Sequence, residues 1–315
     1  MYIIKLSPAF KDYIWGGNKM RDLFGFDSDL DKISEAWMLS CHKDGNNIIQ
    51  NGKYAGKTLK SVIDENPDLL GEKVKKYTDF PILIKFIDAK DDLSVQVHPD
   101  NDYALRVESE YGKTECWYIL DAEPGARLIY GFKDEITKEE FEKSIKDNSF
   151  LKYVNKVDVK KGDFFFIEAG TLHAIGKGIL LAEIQQNSNT TYRVYDYGRI
   201  GKDGKARELH INKAIDVTKC EKPKYSTKAQ GELEIYNGYS SQLLVKCDLF
   251  EVYNLIISSE FEMNVDNSSF VSLLVTDGCG KVDNLEIKKG DSLFIPANTG
   301  KVIIEGNLSI IKTRV

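Results

Sequence analysis

Four histidines occur in the 315 residues, and two of them stand where a short list of other side chains makes metal chemistry conceivable. In LSVQVHP (93–99), Gln96 and His98 are two apart on a predicted strand and share a face, while Val95 and Val97 point to the other. Glu115 opens the predicted strand ECWYIL (115–120), and Lys113 shares its side. His173 follows the turn EAGTL, where Gly170 lets the backbone bend between strands. A lone histidine is most often a hydrogen-bonded core or surface residue. If these strands are neighbours, however, Gln96, His98, Glu115 and His173 form an N₂O₂ set. Imidazoles with a carboxylate suit zinc or another first-row divalent ion, and so few protein ligands leave room for water or substrate.

The elements that must position these groups read as short strands: 81–89, 93–98, 115–120, 126–132, 163–169, 179–186 and 190–197, separated by Gly, Asp, Asn or Pro turns. That rhythm predicts a mainly β fold, an antiparallel barrel or sandwich. Helical patterns at 58–74 and 136–148 carry charged faces with sparse apolar stripes, as expected of helices on the outside of a barrel. The polar stretch 220–234 reads as a linker, after which strands resume at 242–247, 250–258, 270–278, 285–297 and 301–313.

The two halves share a phrase. KKGDFFFIEAGTLHAI (160–175) recurs as KKGDSLFIPANTGKVI (288–303), with Gly162, Asp163, Phe166, Ile167, Ala169, Thr171 and Ile175 matched in register, but His173 becomes Lys301. A duplicated barrel is the expectation, with residues 1–225 forming a catalytic unit with helical inserts. Residues 226–315 then form a degenerate barrel that keeps the turn and strand phrase for folding and lacks the metal site.

Composition narrows the function classes. A net charge of −6 with mixed signs gives no basic stripe for nucleic acid. The N-terminus has too short an apolar run for a signal peptide, and no later stretch approaches the roughly 20 apolar residues of a membrane span. Five scattered cysteines without CxxC spacing argue against a disulfide framework. The expectation is a cytoplasmic protein, a monomer or weak homodimer, without nucleic-acid or membrane partners.

Gly162, Gly170 and His173 resemble the second cupin motif, with Glu168 in place of its proline, and Gln96-Val97-His98 with Glu115 resembles the first, with Gln in place of its first histidine. The pattern QVHPD, then EAGTLHAIGKGILLAEIQQNSNTTYRVYDYGR, is similar to type I mannose-6-phosphate isomerases of the short bacterial form. The similarity takes in YIWGG (13–17), SEAWMLS (34–40), VQVHPDN (95–101), GKTECWYIL (112–120) and RELHI (207–211). The resemblance implies an isomerase interconverting mannose 6-phosphate and fructose 6-phosphate through an enediol(ate), with one zinc ion held by Gln96, His98, Glu115 and His173. It also implies an active-site role for Arg193, a permanent planar cation suited to phosphate or sugar oxygens.

Lys113 is expected to serve in proton transfer or phosphate contact. Lys85, inside PILIKFI, either has a lowered pKa and works as an acid or base, or snorkels outward. Glu183 and Gln185 are expected to orient ligands or sugar hydroxyls, and Trp15 and Glu35 to line the pocket. His42 and His210 fall outside the ligand set. Two rival readings are an iron-dependent cupin dioxygenase, which suits two histidines and a carboxylate, and a non-catalytic sugar-binding cupin.

Overall fold

The computed structural model describes residues 2–201 and 204–315. Its strands form three stacked sheets and a small ribbon. A five-stranded sheet runs Val154–Asp158, Arg127–Phe132, His173–Ile175, Val95–Val97, Tyr192–Tyr195. Facing it, a six-stranded sheet runs Phe164–Ile167, Glu115–Ala122, Ile179–Gln186, Ile82–Ala89, Glu35–Leu39, Ala9–Lys11. Between them lies a core of Trp15, Ile87, Trp117, Ile119, Leu128, Tyr130, Ile175 and Leu181. Helices Lys138–Lys146 and Ile211–Val217 cover the outer face of the five-stranded sheet through Phe141 and Ala214.

The six-stranded sheet is buried on both faces. From Ile82–Ala89, Ile82, Ile84 and Phe86 join Cys116, Phe166 and Ile184 against Leu274, Phe294 and Ile311 of the ten-stranded third sheet. Leu83, Lys85 and Ile87 alternate onto the opposite face, toward the site. That double coverage explains why the strand reads as a nearly continuous apolar run, and why its one lysine is buried.

The expected duplicated barrel is corrected by the pairing: none of the ladders among the described residues closes on itself. The ladder of the third sheet stays open, from Glu234–Tyr236 at one end to Ile4–Ser7 and Ile48–Ile49 at the other. Two long strands, Val271–Val282 and Gly300–Arg314, run through it. The register shifts between Val275 and Asp277, a bulge that increases twist and helps a sheet curl without closing. The enclosed core includes Leu255, Leu273, Val275, Leu293, Ile295 and Ile310, with Lys312 reaching over the Tyr253 and Phe261 rings at its margin. Thus the N-terminal strands complete the sheet of the C-terminal half. The chain from 218 to 233 has no helix or strand, as expected of a linker, but it packs closely: Tyr225 meets Phe166 edge-on at 4.8 Å.

The helix predicted over 58–74 is broken. An α-helix covers Leu59–Glu65, with the Thr58 side chain accepting from the Ser61 amide, and two 3-10 turns follow at Pro67–Leu69 and Glu72–Lys76. Pro67 and Gly71, the latter at φ 86°, interrupt the α-helical ladder. The second predicted helix forms at Lys138–Lys146 with a reciprocal Thr137–Glu140 capping box.

The repeated phrase makes the same turn twice. The Lys160 amide donates to Asp163 Oδ2 at 2.9 Å, and the Lys288 amide to Asp291 Oδ2 at 2.8 Å. Gly162 and Gly290 sit at φ 90° and 89°, a backbone region that side chains resist. A methyl group on Gly162 would meet nothing within 4 Å, whereas one on Gly290 would come within 3.0 Å of Phe24 Cβ. Gly162→Ala should therefore cost about 1–2 kcal/mol from backbone strain alone. Gly290→Ala should cost more, read as a larger drop in thermal midpoint; equal losses would contradict the cost assigned to the Phe24 contact.

Candidate metal centre and its cavity

His98 lies just after the strand Val95–Val97, His173 begins the adjoining strand, and Glu115 starts the strand facing them. All three are almost fully buried, and one donor atom from each lies within 4.8 Å of the others. His98 Nε2 is 3.8 Å from Glu115 Oε2, and His173 Nε2 is 3.5 Å from Glu115 Oε1.

The tautomers follow from the outer nitrogens. His98 Nδ1 donates to the Thr190 carbonyl at 2.9 Å and His173 Nδ1 to the Thr171 carbonyl at 2.8 Å. A carbonyl only accepts, so each Nδ1 carries the proton and each Nε2 turns a lone pair inward. Burial holds both imidazoles below their ordinary range, His173 at about 4, so both are neutral at neutral pH. Neither Glu115 oxygen has a well-directed hydrogen bond, although Lys113 Nζ stands 2.7 Å from Oε2. Burial, followed by the nearby charge of Glu183, pushes the Glu115 carboxyl up to about 7. Two inward lone pairs and a poorly satisfied buried carboxyl fit a divalent cation.

Gln96 is paired directly across the ladder with His173, and its side-chain Nε2 is 3.4 Å from His173 Nε2. A half-turn of the amide would present its oxygen in the same place. Across the next ladder Gln96 pairs with Arg193.

Behind this group runs a buried ladder of charge. Lys113 Nζ is 3.6 Å from Glu183 Oε1, Lys85 Nζ is 3.3 Å from the same oxygen, and Lys85 also lies 3.6 Å from Glu35 Oε2. Trp117 and Trp37 donate indole N–H bonds to Glu183 and Glu35 at 3.1 and 2.7 Å. Burial favours an uncharged Lys85, but Glu35, Glu183 and Glu115 outweigh it and raise its pKa. Both expectations for this residue are thereby corrected: its pKa is not lowered, and the side chain stays inside. Burial opposes ionisation of Glu183 too, yet Lys113 and Lys85 bring it down to about 2.

A cavity of about 260 Å³ opens beside the three donors. Gln96, Lys85, Lys113, Glu183, Glu35, Trp15 and Arg193 all line it. Sequence reasoning missed Tyr13, Ser94 and Arg207 in the same wall. Tyr13 stacks on Trp15 at 5.4 Å, and Arg207 grips Asp196 with two bonds of 2.8 and 2.5 Å. Burial opposes the Asp196 charge, but Arg207 and Arg199 hold it below the usual carboxylate range. Arg207 stands in RELHI beside the histidine that drew notice, and an acidic partner eleven residues earlier was the only available signal. His42 and His210 lie apart from the donors: His42 accepts from the Asp44 amide, and His210 accepts from the Arg193 amide at 3.2 Å, anchoring that strand.

Comparison with known proteins agrees with this geometry. The family model of the type I phosphomannose isomerase catalytic domain matches residues 3–125, and that of the mannose-6-phosphate isomerase cupin domain matches 240–315. A mannose-6-phosphate isomerase of Streptococcus mutans is 41% identical, covering 97% of this chain and 96% of its own. One from Bacillus subtilis is 39% identical, covering 95% of each. The crystal structure of a Bacillus subtilis mannose 6-phosphate isomerase matches all of both chains with a TM-score of 0.92 at 36% identity.

His98→Ala and His173→Ala should each lose tightly held divalent metal while keeping a native far-ultraviolet circular dichroism spectrum. Elemental analysis after dialysis measures this, and a full equivalent of metal in either variant would refute the donor set.

Proposed function

The chain belongs to the type I mannose-6-phosphate isomerase family and interconverts mannose 6-phosphate and fructose 6-phosphate; we propose that it does so in the 260 Å³ cavity, beside a zinc ion held by His98, Glu115, His173 and Gln96. The observation that carries this reading is the pair of inward Nε2 lone pairs facing a buried carboxyl, just behind the Gln96 and Lys113 that line the cavity. When bound, zinc supplies Lewis-acid stabilisation of the oxyanion that develops as a proton leaves carbon.

The isomerisation moves a proton between neighbouring carbons through an enediolate. Lys113, buried and 2.7 Å from the ligand carboxylate, is the group best set to carry that proton or to pair with the developing oxygen. Arg193 lies at the cavity wall across the ladder from Gln96 and is half-buried. It donates to phosphate or sugar oxygens, with Arg207 as a second cation in the same wall. Glu183, kept ionised by its two lysines, accepts from a sugar hydroxyl; Lys85 lies beside it in the same wall, and the Trp15 ring covers the apolar edge of the sugar. Few apolar side chains line the space, as a phosphosugar requires.

In this reading residues 1–225 form the catalytic unit and 226–315 its barrel-like scaffold. Support comes from Lys301, which takes the place of His173 in the repeat but pairs with Glu262 on the surface at 2.7 Å, away from an apolar interior. The protein is further read as cytoplasmic, a monomer or weak homodimer without nucleic-acid partners, in keeping with five free cysteines and a net charge of −6.

Turnover of mannose 6-phosphate, followed by coupling fructose 6-phosphate to a nicotinamide readout, should vanish on chelation and return with zinc. Activity that survives complete metal removal would overturn the proposal. Arg193→Ala should keep its metal and lose about 10²-fold or more in kcat/KM, the scale of one lost charge-stabilising donor. Unchanged kinetics would remove Arg193 from the site.

A further inference from the structure

The two histidines are held by different means. His173 bonds to the carbonyl of Thr171, two residues back in its own turn. His98 depends on the carbonyl of Thr190, ninety-two residues away in sequence. Whatever shapes the turn 186–190 therefore sets the tautomer and direction of one ligand and leaves the other alone.

Gln185 occupies the position that shapes it. It is fully buried and sits directly across the ladder from Glu115. Its Nε2 donates to two carbonyls of the turn, Gln186 at 2.8 Å and Ser188 at 2.6 Å. Both partners are acceptors, so the amide cannot be reversed without opposing three oxygens. The Ser188 hydroxyl in turn accepts from the Thr190 amide at 3.2 Å, and Thr190 presents its carbonyl to His98. Gln186 pins the start of the turn through the Thr114 amide and Asn101, but it does not reach the carbonyls that follow.

We infer that Gln185 is a positioning residue for the metal centre: by bridging two carbonyls of the turn it fixes the Thr190 carbonyl, and through it the imidazole of His98. Removing the bridge leaves the Ser188 carbonyl without its donor and the Gln186 carbonyl with only the Ser188 amide at 2.8 Å, so the turn relaxes. His98 then loses its fixed tautomer, while His173 and Glu115 keep their places. Partners of this kind typically change metal affinity by roughly 10- to 100-fold. The inference rests on the reading of His98 as a ligand.

The test uses the full-length protein loaded with cobalt(II), whose visible absorption reports ligand geometry and whose affinity is read by competition with a chelator. Gln185→Met keeps the volume and removes the donor. It should weaken cobalt binding roughly 10- to 100-fold and alter the visible bands. Ser188→Ala, a small change that breaks the same chain one bond later, should act in the same direction and carries the test if Gln185→Met does not fold. Val275→Ala, in the apolar core of the third sheet, controls for lost stability. It should lower the thermal midpoint without altering the spectrum. Wild-type affinity in the variants of the turn, or a loss no greater than that of Val275→Ala, would overturn the inference. His98→Ala separates the two levels: tight cobalt binding there would defeat the ligand reading and the inference together, whereas weak binding there with wild-type binding in Gln185→Met would defeat the inference alone.

Discussion

The site in the first half of this chain is built around one electrostatic demand: two neutral imidazoles turn lone pairs toward a buried carboxyl. Such a group is costly unless a cation joins it. Lys113 alone supplies part of that charge, and it is shared with Glu183. The alternation Glu35, Lys85, Glu183, Lys113, Glu115 continues the compensation inward, so each carboxylate has an ammonium beside it. Sheets on both faces of the six-stranded layer bury this ladder except where it lines the cavity, and burial strengthens the interactions within it.

The same demand accounts for the repeated phrase. Glycine at positive φ and an aspartate closing on the lysine amide are requirements of backbone geometry, and both copies meet them. The histidine is a requirement of chemistry, and only the copy with a carboxylate and a second imidazole nearby retains it. In the other copy the interior is built mostly of branched aliphatic residues, which need no counter-charge.

Much of this was legible from residue order because the relevant spacings are local. Period-two alternation on 93–98 put Gln96 and His98 on one face and the turn set His173 at the start of a strand, and Lys113 beside Glu115 was readable for the same reason; that these strands pair came only with the structure. The long-range terms were not. Lys85 looked like a lysine with a lowered pKa because its three carboxylate partners come from three other strands. Arg207 and Tyr13 went unread because the cavity joins segments nearly two hundred residues apart. A duplicated barrel was expected because strand rhythm carries no information on whether a ladder returns to its first strand; here Ile4–Ser7 and Ile48–Ile49 take the edge instead.

The most direct measurement is anomalous diffraction at the zinc edge from crystals of the zinc-loaded protein. The account predicts a single strong peak about 2.0–2.1 Å from the Nε2 atoms of both His98 and His173, in contact with Glu115. A peak elsewhere, or none in crystals of protein that turns over mannose 6-phosphate, would contradict it.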